Sequence, residues 1–121
     1  MNYNITKHCA NRYTERVLGN LNNSKNLYTE ILRCLSSGQN ITSKLSETTP
    51  RFILYIKQRY GSDKGYNFIK KDKIIFVLTK RKGTEKLYDV ITCYIENRHL
   101  EKFQNTALSK DEIYTKLSNL K

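Results

Sequence analysis

The spacing of apolar positions changes once along the chain. Up to about residue 61 they recur every three or four residues, the pattern of helices buried along one stripe. Cys9, Ala10, Tyr13 and Val17 share one face of a first helix, capped by Thr6, running to about residue 18 and stopped by Gly19. A second helix is expected from a Ser24 cap to just before Gly38, burying Leu27, Tyr28, Ile31, Leu32 and Leu35. Residues 36–48 are rich in Ser, Thr and Asn and read as a loop. Pro50 suits a first helical turn, so a third helix covers residues 50–60, buries Phe52, Ile53 and Ile56, and ends at Gly61.

Beyond Gly65 the pattern becomes that of strands. Residues 66–69, 73–79 and 87–95 predict three of them. The run Ile74-Ile75-Phe76-Val77-Leu78 is short, continuous and rich in β-formers, as a central strand requires. The connections at Lys70-Lys71-Asp72 and around Gly83 are short, so an antiparallel meander is the economical topology. Ser109-Lys110-Asp111-Glu112 reads as a capping box, followed by the stripe Ile113, Tyr114, Leu117 and Leu120 of a C-terminal helix. The expected fold is therefore a single α+β domain over residues 1–121. It has a helical half (1–61), a three-stranded antiparallel meander (64–96) and a C-terminal helix (109–121). No apolar run reaches membrane-spanning length, and residues 1–6 show no secretory signal, so a cytoplasmic protein is expected.

Charge narrows the partners. The net charge is +11, from 22 basic and 11 acidic residues. That favours anions such as nucleotides or nucleic acid, although lysine-rich surfaces also serve solubility alone. Residues 1–60 carry nine basic side chains against Glu15, Glu30 and Glu47, so the positive field is least diluted there. The three cysteines, Cys9, Cys34 and Cys93, are widely spaced and form no CxxC pair, and His8 and His99 lie far apart. No metal site and no cofactor are expected from that set, and a reducing compartment is implied. A Cys9 nucleophile next to His8 is disfavoured, because adjacent helical residues point about 100° apart.

Candidate chemistry lies in two ridges. His8, Arg12 and Arg16 are spaced by four, so each is rotated only about 40° from the last around a helix. Two guanidinium forks and an imidazole suit phosphate oxygens, and Glu15 is placed to orient Arg12. Lysine outnumbers arginine fifteen to seven in this chain, yet both cationic ridge positions on this helix are arginine. The alternative is a solvated helix face with an ordinary ion pair. Arg51, Tyr55 and Arg59 repeat the spacing on the third helix, where a tyrosine between arginines can stack on a base or simply close the core edge. Asn97, Arg98 and His99 follow the last strand and complete the candidate set, although a loop must begin there in any case. Asp89 falls on the face of Leu87 and Ile91, which an edge position, a salt bridge or catalysis would explain.

The opening Ile5-Thr6-Lys7-His8-x-x-x-Arg12-Tyr13-x-x-Arg16-Val17, with the strand ending Val90-Ile91-Thr92-Cys93-Tyr94, resembles small phage-type proteins. One resemblance is to the phage anti-Thoeris sponge family. It implies a small oligomer that captures a cyclic ADP-ribose signal without chemistry and withdraws it from a host defence effector. The other is to the barnase/RelE-like ribonuclease-toxin group, whose members often open with a His-x-x-x-Arg helix before a sheet. It implies RNA as partner and metal-independent cleavage.

Both imply phosphates received by Arg, His and Tyr. A ribonuclease needs proton carriers as well as donors for the charged phosphorane, and a sponge needs only binding. Donors and aromatics are plentiful here and proton carriers sparse. The leading expectation is therefore a non-enzymatic, homo-oligomeric binder of a small anionic nucleotide, such as a cyclic ADP-ribose or a cyclic oligonucleotide. It would act in the host cytoplasm to block antiviral signalling. The ribonuclease and a small basic nucleic-acid-binding regulator are the alternatives.

Overall fold

The computed structural model describes residues 2–19, 26–62, 64–81, 83 and 87–96. In chain order the elements are β1 (Asn2–Ile5), α1 (Lys7–Arg16), α2 (Leu27–Ser37), β2 (Gln39–Asn40) and α3 (Thr42–Thr48). They are followed by α4 (Pro50–Tyr60), β3 (Tyr66–Lys71), β4 (Ile74–Lys80) and β5 (Leu87–Ile95). The fold is α+β. The sheet is five-stranded and mixed, in the order β1-β5-β4-β3-β2. This corrects the expected three-stranded antiparallel meander. β3, β4 and β5 do run antiparallel to one another, but β1 adds a parallel strand at one edge and β2 a short antiparallel one at the other. The expected C-terminal helix, 109–121, lies outside the described residues.

Alternation along β4 decides which helices cover which face. Ile75 and Val77 point one way and Phe76 and Leu78 the other, and all four are buried. Phe76, Leu78, Val90 and Cys93 pack with Cys9 and Tyr13 of α1 and with Ile31 and Leu35 of α2. Ile75, Val77, Phe68 and Tyr94 pack with Leu45 of α3 and with Phe52 and Ile56 of α4. The sheet is thus covered on both faces, which is why its central strand carries no polar alternation.

A β-bulge makes the two faces of β5 consistent. Val77 lies opposite Thr92 while Leu78 lies opposite Val90, so Ile91 is the extra residue. The insertion resets the alternation. Val90 and Cys93, three apart, share the α1–α2 face, and Tyr94 is turned to the α4 face.

Three local expectations change. The stretch 36–48 holds β2 and α3 instead of an open loop. Asn40 accepts hydrogen bonds at Oδ1 from the Thr42 amide (3.0 Å) and hydroxyl (2.7 Å), and Thr42 Oγ1 in turn accepts from the Phe68 amide (3.0 Å). These local side-chain hydrogen bonds and the burial of Ile41 and Leu45 override the loop-like composition. On α2, Ile31 and Leu35 are buried, but Tyr28 and Leu32 are exposed at 49% and 40%. α1 covers part of the same sheet face, so α2 buries a narrower stripe than its sequence offers. α1 itself ends at Arg16, two residues short of the expected stop.

Glycine is demanded at position 38. A Cβ there would lie 2.5 Å from Ile69 Cγ2 and 2.9 Å from the Cys34 carbonyl. The bare backbone lets α2 turn directly into β2 against β3.

Candidate functional site

Thr6 fixes where α1 starts. Its hydroxyl accepts from the Cys9 amide at 3.1 Å, which caps the helix, and donates to the Val90 carbonyl at 2.8 Å, which ties the cap to β5. β1 pairs with β5 only from Leu87 to Val90. Past Val90, among the described residues, no strand lies on the outer side of β5, and α1 runs there instead. Arg16 Nη1 donates to the Cys93 carbonyl at 2.6 Å, supplying a main-chain acceptor of β5 with a side-chain donor.

A helix along a sheet edge can serve both faces. Cys9 and Tyr13 point into the α1–α2 core. The neighbouring ridge, His8, Arg12 and Arg16, turns toward the α4 side. The His8 ring meets Tyr60 of α4 edge-on, centroids 6.5 Å apart. The Arg16 guanidinium lies 4.7 Å from the centroid of Tyr94, a ring buried with Phe52 in the α4 core. The end of α4 brings Arg59, whose guanidinium stands 5.8 Å from the Tyr60 centroid.

The two ridges therefore meet at one end only. His8, Arg12, Arg16 and Arg59 come together with Tyr60 and Tyr94. Tyr55, half-buried one turn before Arg59, acts electrostatically on both Arg59 and Tyr94. Arg51 is exposed in the first turn of α4, about 12 Å along the axis from Arg59, and stands apart. Asn97 and Arg98 lie outside the described residues, as does His99. The spacing of four along the sequence does not single out Tyr60 or Tyr94 as site residues. A tyrosine closing a helix before glycine and a tyrosine in a strand both read as core.

The electrostatics centre on His8. Burial first, then the guanidiniums of Arg12, Arg59 and Arg16, hold its pKa below the ordinary histidine value, with Glu15 opposing weakly. Glu15 is itself bound by Arg12 Nη1 at 2.7 Å. His8 Nε2 is buried and has no hydrogen-bond partner among the described residues, and neither has Thr92 Oγ1 on β5. Tyr94 is pushed up by burial and by its hydrogen bond with Tyr60, so it stays a neutral phenol. A neutral imidazole, three guanidiniums and two phenols make a set of donors suited to an anion.

Other features separate from this group. Cys9 is fully buried, on the side of α1 away from the ridge, and hydrogen bonding to Cys93 followed by burial raises its thiol pKa far above the ordinary range, so it is no nucleophile. Asp89 pairs with Arg81 at 2.6 Å and accepts from Asn4 at 2.9 Å, so a salt bridge accounts for its position. A cavity of about 300 Å³ lies elsewhere, between α3 and the ends of β3 and β5. Its walls include Ile41, Lys44, Thr49, Lys70 and Glu96. Among the described residues no three His, Cys, Asp or Glu side chains gather as metal ligands, and no helix is long and apolar enough to cross a membrane. The chain matches no family model, no curated protein and no solved structure.

Proposed function

We propose that the junction of α1 and α4 binds the phosphates of a small nucleotide and sequesters it without chemistry. One observation carries this reading: the half-buried His8 ring, edge-on to Tyr60 of α4, lies in the field of three guanidiniums from two helices. That concentration of positive charge, with Glu15 already occupied by Arg12, asks for an anion. Tyr55, Tyr60 and Tyr94 supply ring surface for a base or ribose beside it. On the resemblance to phage sponge proteins, the ligand is a cyclic ADP-ribose or cyclic oligonucleotide signal. The protein then acts as a homo-oligomer in a host cytoplasm, withdrawing that signal from a defence effector.

A second reading has its own observation. His8 is held neutral and its Nε2 has no partner among the described residues. A neutral imidazole beside guanidiniums is the general base that metal-independent ribonuclease chemistry needs for a 2′-OH. The second proton carrier would have to be Glu15, which Arg12 already holds, or a tyrosine, of which Tyr94 has a raised pKa. Binding therefore leads.

Calorimetry against cyclic ADP-ribose isomers and cyclic di- and trinucleotides tests the first reading, with bound ligand recovered and checked by chromatography. Saturable binding and intact ligand are expected. Specific cleavage of RNA, lost in His8→Ala, would replace sequestration by the ribonuclease reading.

A further inference from the structure

We infer that the cavity between α3 and the ends of β3 and β5 is a second ligand site, one that takes a small carboxylic acid with an apolar or aromatic body. It does not depend on the nucleotide reading. Thr49, in the cavity wall, stands just before α4, whereas Arg59 and Tyr60 close that helix, so the cavity and the α1–α4 junction are about 16 Å apart along its axis.

Size and apolar wall set the body of the ligand. The cavity has a volume of about 300 Å³. A dry apolar cavity of about 150 Å³ takes up benzene, so there is room here for a ring with a charged substituent. Ile41 and Leu45 supply the apolar wall, and both are buried in the core on the α4 side of the sheet. The Ile41 amide donates to the Phe68 carbonyl at 2.9 Å and the Leu45 amide to the Ile41 carbonyl at 2.9 Å, so that wall is anchored to β3.

The polar groups set its charge and its second substituent. Lys44 and Lys70 bring two ammoniums to the cavity and Glu96 one carboxylate. Lys70 is paired with Glu96, while Lys44 has no ion pair among the described residues. One positive charge is left over, which matches a monoanion, and a dianion such as phosphate would bring excess negative charge to Glu96. Thr48 Oγ1 gives its only proton to the Lys44 carbonyl at 2.7 Å, so in the 3.3 Å contact between the two hydroxyls it is Thr49 that donates. Thr49 is only 3% exposed, and its oxygen accepts nothing among the described residues. A buried acceptor of this kind calls for a donor, which a hydroxyl or amine on the ligand supplies.

Hydroxybenzoate is a suitable probe, followed by amide NMR titration of the full chain at neutral pH, with hydroxybenzamide and inorganic phosphate as comparisons. Saturable shifts are expected at Ile41, Leu45 and Thr49, with the α1 amides of Arg12 and Arg16 unmoved. Hydroxybenzoate is expected to bind roughly tenfold more tightly than the neutral amide, and Lys44→Gln to remove most of that difference, the loss of one charge-assisted hydrogen bond. Thr49→Val, close to it in shape, is expected to erase the preference for hydroxybenzoate over benzoate while leaving benzoate binding in place. Equal binding of acid and amide, or shifts from phosphate as large as those from hydroxybenzoate, would overturn the assignment of the ligand as a carboxylic acid. Absence of saturable shifts at Ile41, Leu45 and Thr49 up to tens of millimolar probe would overturn the site itself, and shifts confined to α1 would do the same.

Discussion

Arg16 and Cys93 are joined across the open edge of the sheet, side-chain Nη1 to main-chain carbonyl, at 2.6 Å. The same guanidinium covers the Tyr94 ring at 4.7 Å. Arg16 is thus both a member of the basic cluster and the clasp that holds α1 where β1 stops pairing. Its roles are separable by substitution.

Arg16→Ala is expected to destabilise the fold, whereas Arg12→Ala, whose partner is the exposed Glu15, is not. A charge-assisted hydrogen bond contributes about 1.5–3 kcal/mol, and an exposed i,i+3 pair about 0.5 kcal/mol or less. Arg16→Lys should recover only part of the loss, since an ammonium cannot lie flat on Tyr94 while reaching the carbonyl. Urea unfolding of the three variants measures the difference. Equal midpoints for Arg12→Ala and Arg16→Ala would remove the clasp.

How far the sequence discloses this arrangement depends on the range of the interaction. Thr6 as cap, the face shared by Cys9, Ala10 and Tyr13, and the helix from Pro50 to Gly61 are local, and all are found as expected. β1 is not legible because Asn2–Ile5 is short and half polar, and it becomes a strand only by pairing with Leu87–Val90, some 85 residues away in the chain. α3 is not legible in the sequence because Asn40 and Thr42 look like loop residues until the Phe68 amide donates to Thr42 and Thr42 to Asn40. For the site, spacing of four revealed both ridges. It could not show that they converge at Arg59 and diverge at Arg51, because that depends on α1 lying along the edge of β5. The bulge at Ile91, which turns Tyr94 toward that junction, leaves no mark in composition.

Gly38→Ala should cost about 1–3 kcal/mol, the range for overpacking a tight contact. The added methyl meets Ile69 Cγ2 at 2.5 Å and the carbonyls of Cys34 and Lys70 at 2.9 and 3.0 Å, two of the three being backbone that cannot swing away. Gly83→Ala makes a useful contrast. It finds open space but carries φ of +83°, so any loss there comes from backbone strain alone. Thermal unfolding followed by circular dichroism compares them. A neutral Gly38→Ala would mean that β2 is not held against β3 as described.

Stability should fall as pH drops below about 6.5, the ordinary histidine value. His8 has a lowered pKa in the folded chain, so the unfolded chain binds the extra proton first. More protons on the unfolded state means that stability increases with pH across the interval between the folded and unfolded values, and decreases on acidification through it. The effect is separate from that of Asp89, whose lowered carboxyl pKa, set by Arg81, acts only below the ordinary aspartate value. Denaturant midpoints at several pH values, in wild type and His8→Gln, isolate the histidine contribution. An unchanged pH profile in the variant would show that His8 is not the group responsible.

Arg51 and Arg59 provide the sharpest test of where the ligand sits. Both are exposed arginines on α4, and both fall on the ridge that the sequence suggests. Only Arg59 acts on His8 and touches Tyr60. If phosphates bind at the junction, Arg59→Ala and Arg12→Ala should each weaken binding roughly ten- to a hundredfold, the loss of one charge-assisted hydrogen bond. Arg51→Ala, about 12 Å along the helix, should change it by less than about twofold. Equilibrium titration of the three variants with the best-binding cyclic nucleotide, repeated at raised salt, checks this. Raised salt screens distant charges and spares contacts, so any residual Arg51 effect should disappear while the Arg59 effect remains. Equal losses at Arg51 and Arg59 would instead describe a ligand lying along the whole of α4, and the junction would no longer be the binding site.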